Sequence, residues 1–201
     1  MTGPFALTGR VAIVTGGNGG IGKGMAMALA QAGAGVVVVG RNEAKTAEAV
    51  AEIEGLRARA IGVRADVGLR ADASRMVEEA LRAFGRVDIL VNNAGINRRA
   101  PPEDFAQEMW DEVIRTNLTS AFLCSQAAFP SMKAQGGGKI INVGSMTSIF
   151  GAGIAVAYSS SKGGVMQLTK SLAVGWAKHN IQVNAVLPGW IVTDMTNEFK
   201  E

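Results

Sequence analysis

One cysteine, one histidine and one tyrosine stand among 201 residues. A single cysteine excludes an intrachain disulfide framework and a multi-cysteine zinc site, and a single histidine argues against a histidine-built metal centre. No metal is expected. Charge is also sparse, at 18% of residues, and neither sign dominates: Lys plus Arg number 20 against 17 Asp plus Glu, a formal +3. No block of like charge marks a nucleic-acid arm or a polybasic membrane patch, so neither nucleic acid nor a membrane is an expected partner. Long apolar runs are missing as well. Stretches such as Val36 to Val39 fall far short of the ~20 residues that span a bilayer. Met1 to Arg10 has no continuous apolar stretch of signal-peptide length. The expectation is a soluble, cytoplasmic protein, and a hydrophobic content of 48% excludes a disordered tail.

What the chain has in excess is glycine, 26 residues, set among short Val- and Ile-rich runs that alternate with segments of helical period. Strands are predicted at Val11–Thr15, Val36–Gly40, Ala58–Asp66, Val87–Asn92, Lys139–Gly144 and Gln182–Leu187. Helices are predicted at Gly20–Ala32, Asn42–Gly55, Ala71–Phe84, Trp110–Gln135 and Ala155–Lys178. Near-continuous apolar strands separated by single helices imply a parallel sheet covered on both faces. No linker or composition break divides the chain. The fold class expected is α/β, one doubly wound domain over residues 1–201.

The first strand runs straight into Gly16-Gly17-Asn18-Gly19-Gly20-Ile21-Gly22, and a helix opens there. A dinucleotide needs this order, because its pyrophosphate rests on backbone N–H groups at a helix N-terminus where a Cβ would hold it away. Gly16 allows the tight turn, Gly20 the close approach and Gly22 the packing of helix on strand, with Asn18 and Ile21 in the same loop. The second strand ends Val39-Gly40-Arg41-Asn42, with no carboxylate for an adenosine 2′-hydroxyl. The guanidinium of Arg41 suits a 2′-phosphate, so NADP(H) is favoured, with NAD(H) as the alternative. Asp66 and Val67, at the end of the third strand, are expected beside the adenine.

Tyr158 and Lys162 are four residues apart on the last long helix, and so share a face. A nearby ammonium favours phenolate, so the Tyr158 pKa is expected to fall. Ser145 follows the fifth strand at its carboxyl end, where α/β sheets bind ligands. Taken alone, Ser145 reads as readily as a capping serine, Asn117 as a residue bonding backbone, and Lys162 as a solvated lysine. His179 follows Lys178 near a helix end and is given no catalytic role, and Cys124 reads as inert core.

Together these residues resemble the classical short-chain dehydrogenase/reductase family. The likeness is carried by Thr15-Gly16 with Gly20 and Gly22, Asn92-Asn93-Ala94-Gly95, Asn117, Ser145, Tyr158 with Lys162, and Pro188-Gly189 with Thr193. It implies a Rossmann-type fold and a homo-tetramer or dimer that acts on a small carbonyl or alcohol substrate. In that scheme Tyr158 is the general acid or base. Lys162 lowers its pKa and binds the nicotinamide ribose, Ser145 bonds the substrate oxygen, and Asn117 holds a water linking Lys162 to solvent. Asn93, Ala94 and Gly95 would flank the adenosine portion, and Pro188, Gly189, Ile191 and Thr193 the nicotinamide.

Substrate signals are thinner. Arg98 and Arg99 follow the Asn-Asn-Ala-Gly turn and could hold a carboxylate or phosphate. Gly144-Ser145-Met146-Thr147-Ser148 resembles the gluconate and deoxygluconate dehydrogenase branch, which favours a sugar or sugar acid. Met146, Ile149, Phe150 and Trp190 point instead to an apolar ketone or acyl chain, and an acyl-carrier-protein reductase stays open. A dinucleotide-sensing module is the alternative of another class, but it has no need of Ser145, Tyr158 and Lys162 together. Family members continue past Thr193 with a lid helix, another helix and a seventh strand. Those elements are expected beyond Glu201, and without them Ile181 to Leu187 would form an unpaired apolar edge.

Overall fold

Six parallel strands form one sheet in the order β3-β2-β1-β4-β5-β6. They are β1 Val11–Thr15, β2 Gly35–Gly40, β3 Ala60–Arg64, β4 Ile89–Asn92, β5 Gly138–Val143 and β6 Ile181–Val186. The structure, a computed structural model, describes residues 3–193 and Thr196. The third strand is shorter at both ends than its sequence pattern suggests. Chain order reverses between β1 and β4, which places a crevice at their carboxyl ends.

The unbroken apolar runs follow from burial on both faces. Val11, Ile13, Val37 and Val39 pack with Met76, Ala80, Leu123 and Met132 on one face. Ala12, Val14, Val36 and Val38 pack with Ala26, Ala30, Ala49 and Ile53 on the other. The second face is covered by α1 Gly20–Gln31 and α2 Glu43–Gly55. The first is covered by α3 Arg70–Phe84 and by a long helical stretch that follows β4. At the amino ends of the strands Asp88 ties two segments together. It accepts from Arg86 at 2.7 and 2.6 Å, from Arg10 at 2.8 Å and from the Val11 N–H at 2.9 Å. Burial alone would raise the Asp88 pKa, but these bonds outweigh it and hold the carboxyl below its ordinary range.

Two expectations need correction. The single helix read over Trp110–Gln135 is three pieces: α4 Gln107–Ile114, a π-helical turn Arg115–Thr119, and α5 Ser120–Ala134. Hydrophobic periodicity passes through a one-residue insertion without a visible break. The edge expected over Ile181 to Leu187 is present among the described residues, β6 pairing only with β5, but it is not continuously apolar, since exposed Gln182 and Asn184 alternate with buried Ile181 and Val183. Such alternation, rather than a continuous apolar run, is what one packed face requires. The last helix is α6 Val156–Trp176, and among the described residues no helix is long and apolar enough to cross a membrane.

Candidate active site

A cavity of about 580 Å³ lies at the carboxyl ends of the strands. Every site residue read from the sequence lines it except Asn117, Arg98, Ile149 and Phe150. At one end is the glycine turn. Gly16 has φ +61°, a conformation an L side chain rarely adopts. A Cβ on Gly22 would fall 2.2 Å from the Gly16 carbonyl oxygen and 2.3 Å from Asn93 Nδ2. The turn therefore closes only because residue 22 has no side chain. α1 opens after Gly19, and among the described residues no side chain caps it and no acid stands in its first turn. Its first N–H groups thus face the cavity end, an arrangement that fits the phosphates of a dinucleotide.

Polar bonds lock this cradle to its neighbours. Thr15 Oγ1 accepts from the Asn93 and Ala94 N–H groups at 3.0 and 3.1 Å, while Asn93 Nδ2 donates to the Thr15 and Gly16 carbonyls. Asn18 Nδ2 donates to Thr46 Oγ1 at 3.0 Å, which holds the loop against α2. Arg41 is exposed at the cavity wall together with Lys45. Sequence reasoning missed Lys45, although its spacing of four from Arg41 could have flagged it. At the end of the third strand Asp66 takes two bonds, from the Gly68 N–H at 3.0 Å and from Arg115 Nη1 at 2.9 Å. Arg115 opens the π-helical turn that carries Asn117.

Asn117 is buried behind the wall rather than on it. Its Oδ1 accepts from the Ile96 N–H at 2.8 Å, and its Nδ2 donates to the Ile96 carbonyl at 2.9 Å and to Ser161 Oγ at 3.0 Å. The Ser161 hydroxyl in turn donates to the Tyr158 carbonyl at 2.7 Å. The amide is almost fully used in holding the loop after Asn93 against α6. Sequence spacing gave no hint of the Ser161 link.

Ser145 meets its capping reading. It caps the short 3₁₀ turn Met146–Ser148, accepting from the Thr147 N–H at 3.1 Å, and it lines the same cavity as Tyr158. Lys162, far from solvated, is 4% exposed, and its Nζ donates to the Val143 carbonyl at 2.7 Å. The expected fall in the Tyr158 pKa is corrected by burial, which pushes the phenol up more than the nearby Ser145 hydroxyl brings it down. The ammonium lies 5.6 Å from the phenol ring centroid, and burial has brought Lys162 itself down to about 8.

On the substrate side the two arginines part company. Arg98 points to α4, where Nε and Nη2 grip Glu112 at 3.0 and 3.1 Å, whereas Arg99 lines the cavity. Met146, Thr147 and Trp190 line it too. Ile149 and Phe150 do not, being 66% and 63% exposed, and Ile154 takes a place on the wall instead. Cys124 is buried with its thiol pushed up to about 12, so it is inert core. His179 sits edge-on to Phe129, 5.3 Å between centroids. Among the described residues no cluster of metal-ligating side chains occurs.

The short chain dehydrogenase family profile matches residues 10–201. The chain is 43% identical to the 2-dehydro-3-deoxy-D-gluconate 5-dehydrogenase of Escherichia coli (strain K12) over 197 residues, which is 98% of this chain and 77% of that protein. It is 40% identical to the gluconate 5-dehydrogenase of Gluconobacter oxydans (strain 621H) over 195 residues, 96% of this chain and 75% of that one. A crystal structure from Beutenbergia cavernae, proposed to be an NAD(P) dependent gluconate 5-dehydrogenase and holding NADP at low occupancy, superposes with a TM-score of 0.92 at 41% identity. That match covers 98% of this chain and 79% of the other. The chain belongs to the short-chain dehydrogenase/reductase family. It is an oxidoreductase, and the glycine cradle described above fits that family's NAD(P).

Proposed function

We propose that this chain interconverts a ketone and a secondary alcohol on a sugar acid, with NADP(H) preferred. The observation that carries the proposal is the meeting of Ser145, Tyr158, Lys162 and Arg99 in one cavity whose other end is the glycine cradle. When bound, the nicotinamide supplies or takes the hydride. Gly16 to Gly22 would hold its phosphates, Asp66 and Val67 its adenine, and Lys162 its ribose. Arg41 and Lys45 would grip a 2′-phosphate.

In the reductive direction the Tyr158 hydroxyl gives its proton to the substrate oxygen. Thr147 N–H takes a lone pair of Ser145 Oγ, so the Ser145 hydroxyl proton is left to bond the same substrate oxygen as charge develops there. The Lys162 ammonium steadies the phenolate that remains. Arg99, which lines the cavity, would pair with the substrate carboxylate, and Arg98 bonds Glu112. The two relatives named as gluconate and deoxygluconate dehydrogenases support the substrate class.

The test is a panel of aldonic acids and their keto acids, polyols, cyclic ketones and acyl thioesters, run with both cofactors. Sugar acids should give the highest kcat/KM. Arg99→Ala should then raise their KM about tenfold or more, the worth of a charge-assisted pair, with Arg98→Ala near wild type. Faster turnover of cyclic ketones or acyl thioesters, or equal effects of the two arginine changes, would overturn the substrate assignment.

A further inference from the structure

We infer that Ser148 is a positioning residue for the reaction: its hydroxyl ties the main chain of Ser145 to the main chain of Lys162 and so sets the distance between them. This rests on the reading of Ser145, Tyr158 and Lys162 as the reacting groups. Ser148 Oγ accepts from the Ser145 N–H at 3.2 Å and donates to the Lys162 carbonyl at 2.8 Å. The residue is 9% exposed, so water offers little substitute for either bond. The carbonyl of a helical residue keeps a second lone pair beyond its ladder bond, which is what allows Lys162 to accept from outside α6.

A single oxygen thus joins the end of β5 to the helix that carries the phenol and the ammonium. The Lys162 side chain makes the other joint, through the Val143 carbonyl, and Val143 lies two residues before Ser145. Held at both levels, the Ser145 hydroxyl has little freedom to turn from Tyr158. Space for this is close: a Cβ on Gly144 would come within 3.0 Å of Ser148 Oγ and 3.3 Å of Leu187 Cγ. Without the Ser148 hydroxyl the turn keeps its backbone bond from the Ser148 N–H to the Ser145 carbonyl at 2.9 Å, but its tie to the Lys162 main chain goes, and Ser145 drifts relative to α6.

The test compares Ser148→Ala and Ser148→Thr with the wild type by steady-state kinetics and by tyrosinate absorption against pH. Tyr158 is the only tyrosine, so that absorption reports it alone. In Ser148→Ala, kcat should fall about tenfold with the cofactor KM within about twofold. The tyrosinate midpoint should move up, because the Ser145 hydroxyl beside the phenol is what lowers it. Ser148→Thr keeps the hydroxyl and should restore both. An unchanged kcat, a fall in kcat with an unmoved midpoint, or a threonine variant as slow as alanine would each overturn the proposal. Should Ser148→Ala not fold, Ser148→Cys keeps the volume with a poor hydrogen-bonding group, and wild-type kcat in that variant overturns it. A wild-type chain inactive on the whole panel would instead refute the proposed reaction, and the tyrosinate midpoints would still decide the role of Ser148.

Discussion

Replacing Gly22 by alanine tests whether the first turn is a cofactor cradle or an ordinary glycine bend. The new Cβ would sit 2.2 Å from the Gly16 carbonyl oxygen, 2.9 Å from its carbon and 2.3 Å from Asn93 Nδ2. Ordinary contact begins near 3.4 Å, so the turn must open by about an ångström. Overpacking of this kind costs about 1–3 kcal/mol. Asn93 also loses its bonds to the Thr15 and Gly16 carbonyls, at 3.0 and 3.1 Å, worth about 1 kcal/mol each. The sum is about 3–5 kcal/mol, or ~10 °C in Tm for a chain of this size. The same opening spreads the N–H groups that would hold the pyrophosphate, so cofactor affinity should fall at least tenfold. Gly24 is the control. It lies in the same helix with nothing within 4 Å of an added Cβ, and Gly24→Ala should gain about 0.5–1 kcal/mol from helix propensity. Circular dichroism melting and titration of NADPH fluorescence would read both variants. A Gly22→Ala protein with wild-type Tm and wild-type cofactor affinity would refute the reasoning.

Tyr158→Phe should bind the cofactor as the wild type does and lose at least a hundredfold in kcat; equal turnover removes the proton-transfer role. Arg41→Ala should shift the NADPH-to-NADH ratio of kcat/KM toward NADH by about tenfold, which kinetics with the two cofactors would check. Because Lys162 keeps its proton only below about 8, reductive kcat should decline as pH rises through that value, and a kcat flat across it would show that the ammonium is not needed. Asp88→Asn should cost about 1–3 kcal/mol at neutral pH. The wild-type carboxyl titrates below its ordinary range, so its contribution is present above the unfolded-state value and is lost as pH falls through the depressed one. Denaturant melts of both proteins should therefore converge on acidification.

Motifs built on backbone needs were the most legible. The glycines announced a turn that a Cβ would block, and the Val-rich runs announced strands buried on two faces. Residues 16, 18–22, 93–95, 145, 158 and 162 all line one cavity. The π-helical turn at Arg115–Thr119 was invisible, since inserting one residue alters hydrogen bonding without altering composition. Paired charges were also hidden. Nothing in the order Asn97-Arg98-Arg99 tells which guanidinium meets Glu112 and which faces the crevice, because that depends on how α4 lies beside the loop. The Tyr158 pKa went astray for a similar reason. Spacing on a helix supplies the nearby ammonium, but it carries no measure of how much water burial removes.

Asn117 grips both main-chain polar groups of Ile96, as a neighbouring strand would grip one residue of a ladder. The loop after Asn93 is thereby registered by its main chain on the π-helical turn and, through Ser161, on α6. Side chains at 97 and 99 can then be exchanged while the proton-transfer groups stay aligned. One chassis can in this way serve many small molecules by swapping lining residues rather than rebuilding its machinery.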